Sequence, residues 1–474
     1  MNVVQHIEAP FAVVFPLPFR VILLGGLGLL CWATNLHGLQ LLGIDATAAL
    51  ETRAYDAYDS TPRLSLVPQD ARTLVRAVYR LFYAYAMWSL LGWALFRFLT
   101  HDDPALVDDY KFVPAVFGLM IVMFLVCPFD MFERHERDRF LFAVKRCFAS
   151  PVSMPIYFCD IVLADIFTSF AKVIGDIWLS FCMIMPGGSL LIFPEQEGWA
   201  RFMVPCLMSI PYAVRFRQCI IDYIQPTNTS KRPLYNALKY ASSFPVIFLS
   251  AAQRVVISEL MREKGDELED EAWHGEHPLF RLWILSVAVN SLYSFWWDVS
   301  NDWGLDFLRL KPKTTKHQPP PRALILPTLQ TNISGAEVES SGAHPRHSIH
   351  SRHTGSGSSY SSINTQSRPY PWGLRPTLLY PLPAYPLAVF ANLVLRLTWS
   401  IKLSSHLHTH TSGAVVIFWI EVAELLRRWM WVFFRVEWEL VKRSLERGEY
   451  SPAVEDFELT RTDHDDIKDG PDLS

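Results

Sequence analysis

The sequence predicts an all-α, polytopic membrane protein with nine or ten transmembrane helices, and three observations carry that prediction. Half of the 474 residues are hydrophobic and only 19% are charged, below the roughly 25% of an average soluble domain, and the mean hydropathy is positive at +0.16. The apolar residues gather into stretches long enough to cross about 30 Å of hydrocarbon. Acids and bases recur inside those stretches, above all in Glu424-Leu425-Leu426-Arg427-Arg428-Trp429-Met430-Trp431. A single Arg at the centre of a membrane helix costs roughly 2.5 to 3.5 kcal/mol on insertion scales, so two adjacent ones are expected to face a polar cavity.

Residues 1–18 form a short N-terminal segment without the basic n-region of a cleavable signal, and the apolar run after it is read as a retained anchor. Spans at 19–44 and 78–99 make up an N-terminal unit, 19–110. A core unit, 111–447, carries spans at 113–132, 155–185, 199–220, 234–256, 279–303, 378–401 and 414–440. Residues 139–148 would add a tenth crossing, short and polar because Lys145 and Arg146 interrupt it.

Basic residues set the orientation. They cluster at Arg215, Arg217, Lys231, Arg232 and Lys239, again over 309–322, and at Lys442, Arg443 and Arg447, which makes those sides cytosolic by the positive-inside rule. The loops around Glu195 and from His406 to His410 fall opposite, and the C-terminus is placed in the cytosol. Residues 311–369, with Pro319-Pro320-Pro321 and a Ser/Gly/His run, bury too little to fold and read as a disordered cytosolic loop. The acidic tail, 448–474, reads the same way. The sequons at Asn228 and Asn332 lie on the cytosolic side and are expected to be unmodified.

Composition and motifs also exclude classes of function. A formal charge of −4 offers no basic field for nucleic acid. Cys31, Cys127, Cys147, Cys159, Cys182, Cys206 and Cys219 show no metal or disulfide spacing and read as small core residues. The His344, His347, His350, His353 series and the His406, His408, His410 triplet read as solvated tracts rather than metal sites. There is no P-loop, nucleophile elbow or HExxH pattern, so neither catalysis nor a cofactor is expected.

The polar residues within the spans carry the functional expectation. Asp165 and Thr168 share a helix face at i, i+3, and Lys239 and Tyr240 open the span at 234–256. Asp298 and Asp302 are i, i+4, Arg396 and Trp399 are i, i+3, and Glu424 is one turn from Arg427 and Arg428. For any one acid–base pair, structural glue is the commoner role. Taken together, however, Lys239, Arg396, Arg427 and Arg428 face only Asp165, Asp298 and Glu424. The surplus positive charge suits an oxyanion, which guanidinium forks grip bidentately, and phosphate is the natural candidate.

These residues fall in blocks that resemble the EXS family, which includes phosphate exporters and the ER-retention (Erd) proteins. The blocks are Leu163-Ala164-Asp165-Ile166-Phe167-Thr168-Ser169, Arg215-Phe216-Arg217-Gln218-Cys219, Asn236-Ala237-Leu238-Lys239-Tyr240 and Trp297-Asp298-Val299-Ser300-Asn301-Asp302-Trp303-Gly304. Leu395-Arg396-Leu397-Thr398-Trp399, Glu424-Leu425-Leu426-Arg427-Arg428 and Phe433-Phe434-Arg435-Val436-Glu437 complete the series. The resemblance implies a phosphate path lined by Asp165, Thr168, Lys239, Tyr240, Asp298, Arg396, Trp399, Glu424, Arg427 and Arg428. It also shows departures, with Thr168 where the exporters carry Asn and Ala171 where they carry Ser.

The exporters begin with a soluble SPX sensor, for which the residues before the first span leave no room, so the chain looks like the short Erd-like branch. That branch implies a multi-pass Golgi protein returning the phosphate released by glycosylation from lumen to cytosol, in support of ER lumenal protein retention and glycosyltransferase recycling. The endoplasmic reticulum and plasma membrane are the lesser alternatives. Inorganic phosphate and the lipid bilayer are the expected partners, with Golgi glycosyltransferases, coat proteins and a second copy in a homodimer as further candidates. The rival reading is a sorting scaffold whose buried charges only hold helices together.

Overall fold

The computed structural model describes residues 10–50, 71–194, 198–264, 278–305, 322–323, 374–375, 377–402 and 413–446. They are helical almost throughout. In chain order the elements are α1 Pro10–Val14, α2 Leu17–Leu41, α3 Ala46–Ala49, α4 Ala71–Thr100, α5 Pro104–Val107, α6 Phe112–Val126 and α7 Arg134–Ala149. Then come α8 Phe158–Ser169, α9 Ala171–Ile184, α10 Ala200–Ile224, α11 Arg232–Ala241, α12 Ser243–Lys264, α13 Pro278–Trp297, α14 Ala384–Lys402 and α15 Gly413–Glu446. A π-helical turn, Asp298–Asp302, prolongs α13. One departure from helix is a two-residue parallel pairing of Arg322–Ala323 with Thr377–Leu378, which puts Arg322 and Ala323 in defined structure inside a segment expected to be disordered.

The side-chain pattern is that of a protein surrounded by lipid. On α13 the exposed stripe is Leu282, Leu285, Val289, Leu292 and Trp296, whereas Asn290, Ser291, Ser294 and Asp298 point inward and are buried. On α14 Leu387, Phe390, Val394 and Leu397 face out while Asn392 and Arg396 face in. Leu90, Leu91, Leu95 and Phe98 of α4 and Leu119, Val122, Met123 and Val126 of α6 extend the apolar exterior. Apolar stripes of this extent with polar residues turned inward match hydrocarbon outside and a polar lining within. Two of the described helices, Leu17–Leu41 and Pro278–Asp302, are long and apolar enough to cross a membrane by length and composition alone. The inward-facing charges lower the apolarity of others, so the count of nine or ten crossings stays an expectation.

Every expected span contains helix, but two are cut where the sequence was read as continuous, and a third, 279–303, shifts to π geometry at its end. The expected crossing at 155–185 divides at Phe170 into α8 and α9. The Thr168 hydroxyl donates to the Asp165 carbonyl at 2.7 Å, an i−3 back-bond of a kind that bends helices. The crossing at 234–256 divides at Ser242 into α11 and α12. Pro245 supplies the reason, since it lacks an N–H for the Ala241 carbonyl and its ring would crowd that oxygen. The third interruption is the π turn that ends α13.

A fourth expected span, 113–132, stops early at Val126. Cys127 precedes Pro128, which drives it out of the helical region to ψ 124°. The freed carbonyls are gathered by Arg137, which donates to the carbonyls of Phe124, Cys127, Phe129, Met131 and Phe132. The marginal stretch at 139–148 lies inside α7, sixteen residues long, and α7 is tied to α8 by the Arg146–Asp160 ion pair.

Residues 374–375 and 377–380 meet the helical body through Glu437, which has no exposed surface. Its carboxylate accepts from the Leu379 amide at 2.8 Å and the Tyr385 hydroxyl at 2.6 Å, and lies 2.9 Å from Arg375. Gly304 ends the π turn at φ +64°, and a Cβ there would lie 2.5 Å from the Trp438 ring. Of the cysteines, Cys147 and Cys219 are buried as expected, four others are half-buried, and Cys206 is exposed. Asn228 sits in an exposed turn. Asn332, both histidine series and the acidic tail lie outside the described residues.

Two stability outcomes follow. Glu437→Ala should leave Arg375 as an uncompensated buried charge and destabilise the protein by about 3–5 kcal/mol, visible as a lowered melting temperature of the detergent-purified chain. Gly304→Ala adds a side chain in a left-handed conformation against an indole ring and should cost about 1–3 kcal/mol, by the same measurement.

Candidate functional site: a cationic cavity at three helix interruptions

The interruptions of α8/α9, α11/α12 and the end of α13 meet at one void. Thr168, Tyr212, Lys239, Tyr240, Ser243, Asn290, Ser294, Arg396, Glu424, Arg427 and Arg428 line it. The cavity holds about 30 Å³ of room for water centres, enough for roughly two ordered waters. Of the sequence-predicted residues, Thr168, Lys239, Tyr240, Arg396, Glu424, Arg427 and Arg428 are on its wall. Asp165 and Asp298 lie directly behind it, bonded to wall residues. Trp399 lies within α14, but its side chain is outside the described residues.

Asp298 organises one side. It has no exposed surface, and three cations from three helices converge on it: Lys239 at 3.1 Å, Arg427 at 3.5 Å and Arg396 in close contact. Lys239 also reaches Asp302 at 3.2 Å. Asn392 accepts from Arg427 at 3.3 Å and so orients that guanidinium. The π turn spaces Asp298 and Asp302 so that both reach the same ammonium.

The second cluster lies behind Tyr240. Arg215 of α10 donates through Nε to Asp165 at 3.0 Å and through Nη1 to Gln218 at 2.6 Å. The Tyr240 hydroxyl donates to the same Asp165 oxygen at 2.6 Å and accepts from the Arg215 guanidinium at 3.2 Å. The expectation that Arg215 and Lys239 belong to a cytosolic basic cluster is overturned here, because both are buried and ion-paired. Arg217, two residues on, points the other way and reaches Ser150 at 3.2 Å.

The third cluster is built on Glu424. Arg427 grips it bidentately, Nε to Oε2 at 2.8 Å and Nη2 to Oε1 at 2.7 Å, and the Ser169 hydroxyl donates to it at 2.7 Å. Arg428 is different. Its Nε donates to Ser169 at 3.0 Å and its Nη2 to Thr168 at 2.9 Å, and its guanidinium lies 4.7 Å from the Trp431 ring centroid. It forms no ion pair among the described residues, and its Nη1 is buried with no hydrogen-bond partner. An arginine 7% exposed, held only by neutral hydroxyls and an aromatic face, keeps its charge available for an anion.

The set expected from sequence is extended by Arg215 and Asp302. Arg215, Lys239, Arg396 and Arg427 each pair with a carboxylate of Asp165, Asp298, Asp302 or Glu424. Among these five cations Arg428 alone has no carboxylate partner among the described residues. Sequence reasoning did not assign Arg215, Tyr212, Asn290 or Ser294 to the site. The signal was helical spacing, since Tyr212 and Arg215 share the buried face of α10 at i, i+3, and Asn290, Ser294 and Asp298 recur every fourth residue along α13.

Comparison with known proteins agrees with this architecture. Protein ERD1 homolog 2 of Schizosaccharomyces pombe is 25% identical over 462 residues, which is 91% of this chain and 98% of that protein. Protein ERD1 homolog 1 of the same organism is 26% identical over 443 residues, 90% of this chain and 91% of its own length. Phosphate transporter PHO1 homolog 8 of Arabidopsis thaliana is 25% identical over 351 residues, 70% of this chain but 34% of that protein. The EXS family pattern matches residues 15–441, and the chain therefore belongs to the EXS family of membrane proteins.

Proposed function

We propose that this protein is a Golgi membrane transporter that moves inorganic phosphate from lumen to cytosol, through the cavity around Arg428 and without covalent chemistry. The observation that carries the reading is Arg428, a buried arginine hydrogen-bonded only to hydroxyls, which lines a shared void with Lys239, Arg396 and Arg427. Three arginines each locked to its own acid, with no space between them, would have spoken for structural glue alone. Interrupted helices support transport as well, because irregular backbone within a membrane is tolerated where it lines a cavity.

The similarity to a relative named a phosphate transporter supports phosphate as the cargo. The near end-to-end match with two ERD1 homologs supports the Erd-like branch, and with it the Golgi setting, the return of phosphate released by glycosylation and the support of ER retention and glycosyltransferase recycling. The orientation with the C-terminus in the cytosol rests on the distribution of basic residues.

In proteoliposomes, Arg428→Ala should reduce phosphate flux at least tenfold, because the anion loses its uncompensated guanidinium at a cost of about 1.5–3 kcal/mol for a charged hydrogen bond. Unchanged flux in a folded Arg428→Ala protein would sink the transport reading. Removing residues 311–369 should leave flux intact, whereas loss of enzyme sorting without loss of flux would assign the loop a separate docking role.

A further inference from the structure

We infer that Ser169 is a positioning residue of the anion site: its hydroxyl stands between Glu424 and Arg428 and keeps the two from pairing, so that one edge of the Arg428 guanidinium stays available to an oxyanion in the void. This rests on the phosphate reading above and names a residue on which the affinity of the same site depends.

Helix geometry favours a pair that the structure lacks. Glu424 and Arg428 are i, i+4 on α15 with the acid nearer the N-terminus, the better order for an ion pair along a helix. Arg427, at i, i+3, instead holds both Glu424 oxygens, at 2.8 and 2.7 Å. Ser169 comes between the other two, its hydroxyl donating to Glu424 Oε1 at 2.7 Å and accepting from Arg428 Nε at 3.0 Å. A serine hydroxyl has one hydrogen, so the one given to Glu424 leaves lone pairs alone to face Arg428. Thr168 repeats the arrangement: its hydrogen goes to the Asp165 carbonyl at 2.7 Å, and its oxygen accepts from Arg428 Nη2 at 2.9 Å. The Trp431 ring, 4.7 Å away, covers a face of the guanidinium. Two hydroxyls thus hold the Nε–Nη2 edge, and Nη1 is left buried and without a hydrogen-bond partner on a residue of the cavity wall.

Glu424 is the carboxylate that Arg428 would take if it turned. Asp165 is held by Arg215 and Tyr240, Asp298 by Lys239, Arg396 and Arg427, and Asp302 by Lys239. Glu421, also buried, stands seven residues before Arg428 on α15, about 10 Å back along the axis. Without the Ser169 hydroxyl, Glu424 Oε1 loses a donor and Arg428 Nε loses an acceptor. Both groups are buried, and an unsatisfied buried polar group is costly. Each is the other's replacement partner. An Arg428 closed onto Glu424 would bring its charge to the void already compensated, so the site would lose its grip on an anion without losing any residue of its wall.

The test is binding of radiolabelled inorganic phosphate to the detergent-purified full-length protein. Ser169→Ala should weaken binding about tenfold, the worth of one charged hydrogen bond. In a Glu424→Gln background the same substitution should change affinity by less than about twofold, because no carboxylate is left to capture Arg428. A hydroxyl that served packing alone would cost the same in both backgrounds. Ser169→Thr and Ser169→Val, nearly equal in volume, decide the matter if the Glu424 variant does not fold: the hydroxyl-bearing variant should bind at least about tenfold more tightly than the other. Native affinity in Ser169→Ala, equal losses in the two Glu424 backgrounds, or equal affinities of Ser169→Thr and Ser169→Val would overturn the inference and leave phosphate binding in place. A native protein that binds no phosphate would instead defeat the transport reading itself.

Discussion

The arrangement depends on Asp298. Three cations cannot be brought within a few ångströms of one another in a low-dielectric interior unless a carboxylate lies among them, since two like charges 4 Å apart repel by about 4 kcal/mol even at an effective dielectric near 20. Asp298 lies among Lys239, Arg396 and Arg427, fully shielded from solvent. It thereby joins α11, α13, α14 and α15 at one point. The π turn puts Asp302 in reach of the same lysine, so the backbone irregularity has an electrostatic purpose. It gives one ammonium two carboxylates.

Arg428 follows from that balance. Arg427 could not take its place, because both edges of its guanidinium are committed to Glu424, Asp298 and Asn392. Adjacent positions on a helix point about 100° apart, so the Arg427-Arg428 pair divides its labour. One side chain faces the carboxylates that hold the bundle together, and the other faces the hydroxyls at the broken end of α8. Thr168 and Ser169 reach Arg428 where α8 gives way to α9, and the same Ser169 bridges to Glu424. Gly28 of α2 lets the Phe170 ring at this break pack against bare backbone, where a Cβ would collide with it. The shape of the site is therefore tied to the N-terminal helices as well as to the core.

Much of this was legible in the sequence, for reasons that can be named. Charged residues in apolar stretches are rare enough that Lys239, Arg396, Glu424, Arg427 and Arg428 announced an interior site, and the structure brings them to one cavity. The helices appear where apolar length required them. What escaped was local. Arg215 stands two residues from Arg217, and a pair of arginines near the end of an apolar stretch resembles a loop; only the buried spacing of Tyr212 and Arg215 separates the inward one from the outward one. The break at Phe170 has neither Gly nor Pro to mark it, since it arises with a threonine hydroxyl returning to its own helix. The break at Ser242 did carry a marker in Pro245, hidden by the apolar residues on both sides.

Glu437 and Glu424 show a buried carboxylate away from the cavity and one beside it. Both are carboxylates on α15 with an arginine partner and a hydroxyl donor. Glu437 also accepts a backbone amide from the returning chain and is not on the wall of this cavity. Glu424 stands beside a void and next to a second arginine that it does not neutralise. A cluster built only to hold helices would do better with matched charges or apolar residues of equal volume, because each uncompensated buried ion opposes folding. An arginine held only by hydroxyls and an aromatic face beside a void is unfavourable for the empty protein, and an anion in that void would offset the cost. That imbalance is the physical ground for reading the cavity as a binding site.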